Sequence, residues 1–193
     1  MAAPKILVIP GSLRTGSHNA RLAALAAKEL VLAEGEVTRI SLEDYPLPLF
    51  DADLAASSGM PASAPRLKAM LMAHRGVFIT SPEYSASVTP LLKNAIDCVS
   101  RVREGSEPTY AAFKNRVFAI GSATASSSGG VRSMMALRQI LELGCGALVI
   151  PEQVSVPRAD GAFDDMDNLK DETTAAAMKA IARRLVELAS AMH

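Results

Sequence analysis

Four short runs along the chain are apolar at nearly every position: Lys5–Ile9, Gly76–Thr80, Arg116–Ile120 and Ala147–Ile150. Runs of this length, rich in Val and Ile and closed by Gly, Pro or Ser, predict strands buried on both faces. A fifth run, Glu36 to Leu42, alternates polar and apolar residues and predicts a half-exposed strand near a sheet edge. Between the strands the period becomes helical. Leu22, Leu25, Ala26, Leu30 and Val31 share one helical face, and Leu67, Met70 and Leu71 mark another within Pro65–His74. Pro90 suits a first helical turn, ahead of Leu91, Leu92, Ala95, Ile96 and Val99. Val131, Met134, Leu137, Ile140 and Leu141 follow, closed by Gly144. Met178, Ile181, Leu185, Leu188 and Met192 form the last face.

The connections are as informative. Pro46–Asp51 is barred from helix by its prolines, and from there to about Ala64 the Ala/Ser/Gly/Pro-rich chain reads as a long loop. Its Leu47, Leu49 and Phe50 need a cover, either the domain's own surface or a second subunit. Gly105–Asn115 is a polar connection, Pro151 is expected to stop the last strand, and an irregular segment runs to about Lys170.

Strands and helices alternate throughout, which predicts an α/β fold: a doubly wound, five-stranded parallel sheet with right-handed crossovers. The natural strand order is 2-1-3-4-5, the flavodoxin-like order, and residues 1–193 form one domain. In such sheets a ligand sits beyond the carboxyl ends of the strands where the order reverses, here between the first and third strands. The loops at that edge are Gly11–Asn19, Ser81–Ser85 and Gly121–Gly130, all small, hydroxylic or turn-forming. They suit a flat ligand with a phosphate tail.

The first loop carries the phosphate chemistry. A helix start leaves about four backbone N–H groups without partners, and its dipole favours an anion. Ser12, Thr15 and Ser17 offer hydroxyls, and Arg14 offers a charged fork. No Lys lies in the loop, so it is not a Walker A loop, and its glycines do not follow G-x-G-x-x-G. An ordinary turn capped by Ser17 or Asn19 is the plainer alternative.

Composition narrows the partners. Lys and Arg balance Asp and Glu to a net charge of zero, and the basic residues are scattered, which predicts no nucleic-acid or anionic-membrane partner. Cys98 and Cys145 lie far apart in apolar surroundings and read as buried free thiols. His18, His74 and His193 have no metal-ligand spacing, so no metal is expected. The chain opens on a strand with no signal-peptide pattern and has no bilayer-length apolar run, which predicts a soluble cytoplasmic protein.

Gly11-Ser12-Leu13-Arg14 with Ser17 and Asn19 resembles the G-S-L-R-x-x-S-x-N loop of the NADPH-dependent FMN reductase family, which includes quinone, azo-dye and chromate reductases. Pro82-Glu83-Tyr84 resembles that family's P-E-Y-N motif, and Gly129-Gly130 fits its next helix start. The resemblance runs from about Lys5 to Ile150. It implies that Ser12, Leu13, Arg14, Ser17, His18 and Asn19 surround the phosphate and ribityl chain of FMN, rather than FAD. It implies that Pro82, Glu83, Tyr84 and Ser85 run beside the isoalloxazine ring, and that Ser122 and Ala123 close the other side. One position departs from the pattern: Ser85 stands where the family has Asn.

The implied activity is oxidoreduction: NADPH or NADH reduces the flavin, leaves, and a small-molecule acceptor (quinone, azo compound, free flavin or metal oxyanion) takes its place. No catalytic acid, base or nucleophile is needed on the protein, since the cofactor carries the chemistry. Glu83 reads more readily as a capping carboxylate than as an acid catalyst. The apolar residues of the Pro46–Phe50 loop, with the helix from Pro90 to Ser100 at the flavin edge, predict a twofold interface, hence a homodimer or homotetramer, and the resemblance adds that the second subunit helps wall the flavin pocket. The rival reading is a flavodoxin-type electron carrier docking on proteins. Neutral charge and the absence of Trp count against it.

Overall fold

A computed structural model of the chain describes residues 2–192, so His193 lies outside the described residues. The five strands are β1 (Lys5–Pro10), β2 (Glu36–Arg39), β3 (Gly76–Thr80), β4 (Val117–Ala123) and β5 (Leu148–Val156). All pair in parallel, in the order β2-β1-β3-β4-β5. The helices are α1 (His18–Leu32), α2 (Ala52–Ser58), α3 (Ser63–Met72), α4 (Pro90–Arg101), α5 (Val131–Gln139), α6 (Ala159–Ala162) and α7 (Glu172–Ala191).

The continuous apolar runs become the central strands because both faces are covered. On one face Ile6, Val8 and Phe78 pack with Leu22, Leu30, Ile181 and Leu185 from α1 and α7. On the other, Leu7, Val77, Ile79 and Phe118 pack with Leu67, Leu92, Ile96 and Leu137 from α3, α4 and α5. The alternating β2 is an edge strand, paired only with β1 among the described residues.

Several boundaries differ from the sequence reading. Val31 lies 58% exposed rather than on the packed face of α1. The expected loop after Asp51 contains α2, started by the Asp51 carboxylate accepting the N–H groups of Asp53 and Leu54. This helix buries none of its residues, so no apolar stripe announces it. Strand β2 ends at Arg39, and Leu42–Asp44 forms a short 3₁₀ turn. The polar connection before β4 still buries Ala112 and Phe113. Strand β4 continues through Gly121, Ser122 and Ala123, which are strand residues rather than loop.

Strand β5 passes through Pro151 to Val156. The pairing jumps from Phe118–Val149 to Ile120–Gln153, so Ile150, Pro151 and Glu152 face Ala119 alone. A proline is tolerated there because an edge bulge needs no N–H from it. Helix α5 ends in a wide π-type turn at Ile140–Gly144.

The Pro46–Phe50 loop lies against α4 of its own chain. Asn94 accepts the Phe50 N–H at 2.9 Å and donates to the Pro48 carbonyl at 2.9 Å, and Arg101 covers the Phe50 ring at 4.4 Å. Leu49 remains 82% exposed. Cys98 and Cys145 are free and buried, and burial pushes the Cys145 thiol up to about 11. Such thiols are inert as nucleophiles at neutral pH.

Candidate functional site

The loop after β1 is drawn tight against β3. Gly11 donates its N–H to the Thr80 carbonyl at 2.7 Å, and Thr89 donates its hydroxyl to the Gly11 carbonyl at 2.7 Å. A Cβ on Gly11 would stand 2.8 Å from that Thr80 oxygen, so the close approach requires glycine. Beyond it, Ser17 sits extended at the start of α1 without bonding a helix N–H through its hydroxyl. Among the described residues, the N–H groups of Leu13, Thr15, Gly16, His18 and Asn19 have no hydrogen-bond partner. Arg14 is exposed and lays its guanidinium over the Gly16 carbonyl at 3.2 Å. Free N–H groups, a free hydroxyl and a movable cation at a helix start make an anion cradle.

The loop after β3 is held from behind. Tyr84 and Ser87 exchange backbone hydrogen bonds at 3.0 and 2.9 Å around Ser85 and Ala86, whose φ angles are 49° and 62°. Both central residues are left-handed, as in a type I′ turn. Asn is favoured at such a position and Ser is not, so the departure at Ser85 falls on a strained backbone residue. Glu83 accepts the Arg132 N–H at 3.2 Å and Arg132 Nε at 2.8 Å. Its side chain is only 7% exposed, and the bonds from Arg132 hold its carboxyl below the usual carboxylate range. Glu83 therefore caps α5, as the capping alternative has it. Ser133 adds a bond to the Pro82 carbonyl at 3.0 Å.

Buried polar side chains tie the loops together. Asn19 donates Nδ2 to the Ala123 carbonyl at 2.7 Å and accepts the Ala123 N–H at 3.1 Å. Thr80 donates its hydroxyl to the Asn19 carbonyl at 2.9 Å, and Ser122 donates its own to the Ser81 carbonyl at 2.7 Å. Gly130, at φ 78°, packs directly on Ser122, and a Cβ there would overlap the Ser122 hydroxyl.

The result is an open cleft of ≈ 370 Å³ beyond β1, β3 and β4. Ser12, Arg14, Ser17, His18, Asn19, Pro82, Glu83, Tyr84 and Ala123, all singled out from the sequence, line it. Three others do not. Leu13 turns into a neighbouring apolar groove of ≈ 480 Å³ with Tyr45, Leu47, Pro48 and Leu91. Ser85 sits at the exposed tip of its turn, and Ser122 is fully buried beneath the cleft. Asn19 reaches the cleft wall, but its amide is engaged by Ala123, so it positions the loop rather than offering a free polar group.

Thr124 and Ala125, from the Gly121–Gly130 stretch, and Asp160, which was not anticipated, complete the lining. Thr124 extends the small, hydroxylic run already noted, but nothing in the sequence links Asp160 to the first loop. The fold brings α6 to the start of α1, where His18 Nε2 lies 3.0 Å from Asp160 Oδ1. Among the described residues, no cluster of His, Cys, Asp or Glu has the arrangement of a metal site.

Known proteins resemble this chain over most of its length. The family model described as NADPH-dependent FMN reductase matches residues 4–161. An NAD(P)H-dependent FMN reductase of Pseudomonas aeruginosa is 35% identical over 170 residues, 87% of this chain and 85% of that protein. A quinone reductase of Escherichia coli K12 is 36% identical over 138 residues, 71% of this chain and 69% of that protein. Among solved structures, a flavoenzyme NAD(P)H:(acceptor) oxidoreductase from Paracoccus denitrificans superposes with a TM-score of 0.78 at 25% identity, covering 98% of each chain.

Proposed function

The chain belongs to the NADPH-dependent FMN reductase family, and from that membership we propose that it is an FMN-dependent oxidoreductase that uses NAD(P)H to reduce small-molecule acceptors, quinones first among them. The observation that carries this reading is the anion cradle at the start of α1, open to a cleft with low-bulk walls.

The residues present fit FMN. The unpaired N–H groups between Leu13 and Asn19, the hydroxyls of Ser12 and Ser17 and the cation of Arg14 match a terminal phosphate. Pro82, Glu83 and Tyr84 wall one side for a flat ring, and Ala123, Thr124 and Ala125 the other. Bound there, FMN supplies the hydride acceptor and donor. The chain supplies positioning and fixed dipoles. Glu83, tied to Arg132 and held ionised, is not placed to donate a proton at neutral pH. Asn19, Thr80 and Ser122 fix the loops so that the cleft walls need little reorganisation on binding.

Nicotinamide and acceptor would occupy this cleft in turn, a ping-pong scheme. Free flavin, azo compounds and metal oxyanions are further acceptors under this reading. Steady-state quinone reduction tests it, varying NADPH or NADH against quinone. Parallel double-reciprocal lines are expected, and intersecting lines would contradict alternation at one cleft.

A homodimer or homotetramer is supported by the apolar groove holding Leu13, Leu47 and Leu91 and by exposed Leu49 beside it. One flavin-binding domain over 1–193 is supported by the continuous sheet. Among the described residues, no helix is long and apolar enough to cross a membrane. A cytoplasmic setting is supported by two free, buried thiols.

A further inference from the structure

The pairing of His18 with Asp160 poses a charge problem at the cradle. An ionised carboxylate only accepts hydrogen bonds, so Asp160 requires the proton on Nε2 of His18, 3.0 Å away. The other ring nitrogen, Nδ1, is buried without a partner among the described residues. In a neutral ring Nδ1 is then a bare acceptor, and the pair keeps the negative charge of Asp160. In a doubly protonated ring the pair is neutral overall, which favours an anion in the adjoining cleft.

Asp160 sharpens the problem. Its side chain is 74% exposed and lines the same cleft as Ser12 and Arg14. Left unmasked, its charge opposes a phosphate at the start of α1. The other charged or titratable groups around the cleft do not relieve this by changing state near neutrality. Arg14 carries a guanidinium into the cleft, and Glu83 in its lining is tied to Arg132. Arg21, one turn further along α1, pairs with Asp167. Tyr84 also lines the cleft, through the loop after β3. An imidazole is the group suited to changing charge in this range.

We propose that binding of FMN is coupled to proton uptake by the His18–Asp160 pair, the doubly protonated imidazole offsetting the Asp160 charge beside the flavin phosphate. The proposal rests on the FMN reading of the cleft. It makes the pair a selector for phosphorylated flavin over riboflavin, and it makes FMN affinity depend on pH. Under this coupling, binding takes up a proton wherever the ring is neutral in the free protein. Affinity therefore falls as pH rises, with a limit of about tenfold per pH unit for one linked proton.

The test is calorimetric titration of apoprotein with FMN and, separately, riboflavin, between about pH 7 and 8.5. A phosphate ester's own second ionisation, near pH 6, lies below this window. Buffers of different ionisation heat report the protons taken up. The wild-type protein is expected to approach one proton per FMN at the upper end, and none per riboflavin. His18→Gln is expected to abolish uptake and weaken FMN about tenfold, with Asp160 now unmasked. Adding Asp160→Asn to that variant is expected to restore most of the affinity without restoring uptake. FMN binding with no proton uptake and a flat pH profile would overturn the proposal. So would riboflavin binding with the same pH profile as FMN. Failure of FMN to bind at all would overturn the reading of the cleft and this proposal with it, whereas the other two results leave that reading standing.

Discussion

Asn19 uses both ends of its amide on Ala123, and it is through this latch that α1 is set against β4. Asn19→Ala would leave a buried N–H and carbonyl unpaired, at about 1–3 kcal/mol each. We expect urea unfolding to show a loss on the order of 2–4 kcal/mol, with FMN binding weakened as a consequence. Arg14 is the opposite kind of residue, exposed and free to turn toward a ligand. Arg14→Ala should leave stability unchanged but cost about 1.5–3 kcal/mol of FMN affinity, roughly ten- to a hundredfold. Fluorescence titration with FMN distinguishes the two. Glu83 gives a pH prediction. Its carboxyl is held below the usual range by the bonds from Arg132, so its stabilising contribution is full above the unfolded pKa, about 4.3. That contribution is lost as pH falls through the lower folded value. Glu83→Gln should flatten this acid-side loss in unfolding measured from about pH 5 downward. Ser12, Arg14 and Ser17 were legible as cleft residues because their chemistry is local to one loop. The inward turn of Asn19 and the arrival of Asp160 at His18 depend on contacts 104 and 142 positions apart, which no local pattern encodes.

Helices and strands were legible to the extent that burial wrote a period into them. Helix α2 buries nothing and depends on its Asp51 cap, so its Ala/Ser composition read as loop. Strand β5 survives Pro151 because the extra residues sit in a bulge on an edge, an option that the local prohibition on proline does not anticipate. The small residues after Ile120 read as a loop, yet Gly121, Ser122 and Ala123 are the buried end of β4. Their small size serves close packing: Gly130 enters α5 directly over Ser122. Gly130→Ala should therefore destabilise the protein by at least about 1–3 kcal/mol, from the left-handed backbone and the collision together. Thermal unfolding of Gly130→Ala alone and with Ser122→Ala checks this. The double variant should recover part of the loss, because one of the colliding atoms is gone while the backbone strain remains.

At the scale of the molecule, the order β2-β1-β3-β4-β5 gathers three small-residue loops at one edge, and the cleft follows from that topology. The sheet covers its own faces, so what it leaves over is informative. Leu49 and the groove beside Leu13 and Leu91 form an apolar surface next to the cleft. Light scattering is expected to report a dimer or tetramer, and Leu49→Glu to weaken it. A monomer at micromolar concentration would contradict the assembly proposed here. The central claim, a flavin site reduced by nicotinamide, has a more direct test. Protein reconstituted with FMN and freed of excess should show the two-banded near-ultraviolet and blue absorption of an oxidised flavin. Anaerobic addition of one equivalent of NADPH or NADH should bleach the blue band, and a quinone should then restore it. A protein that retains no FMN, or whose bound flavin is bleached by neither nicotinamide, would contradict the account.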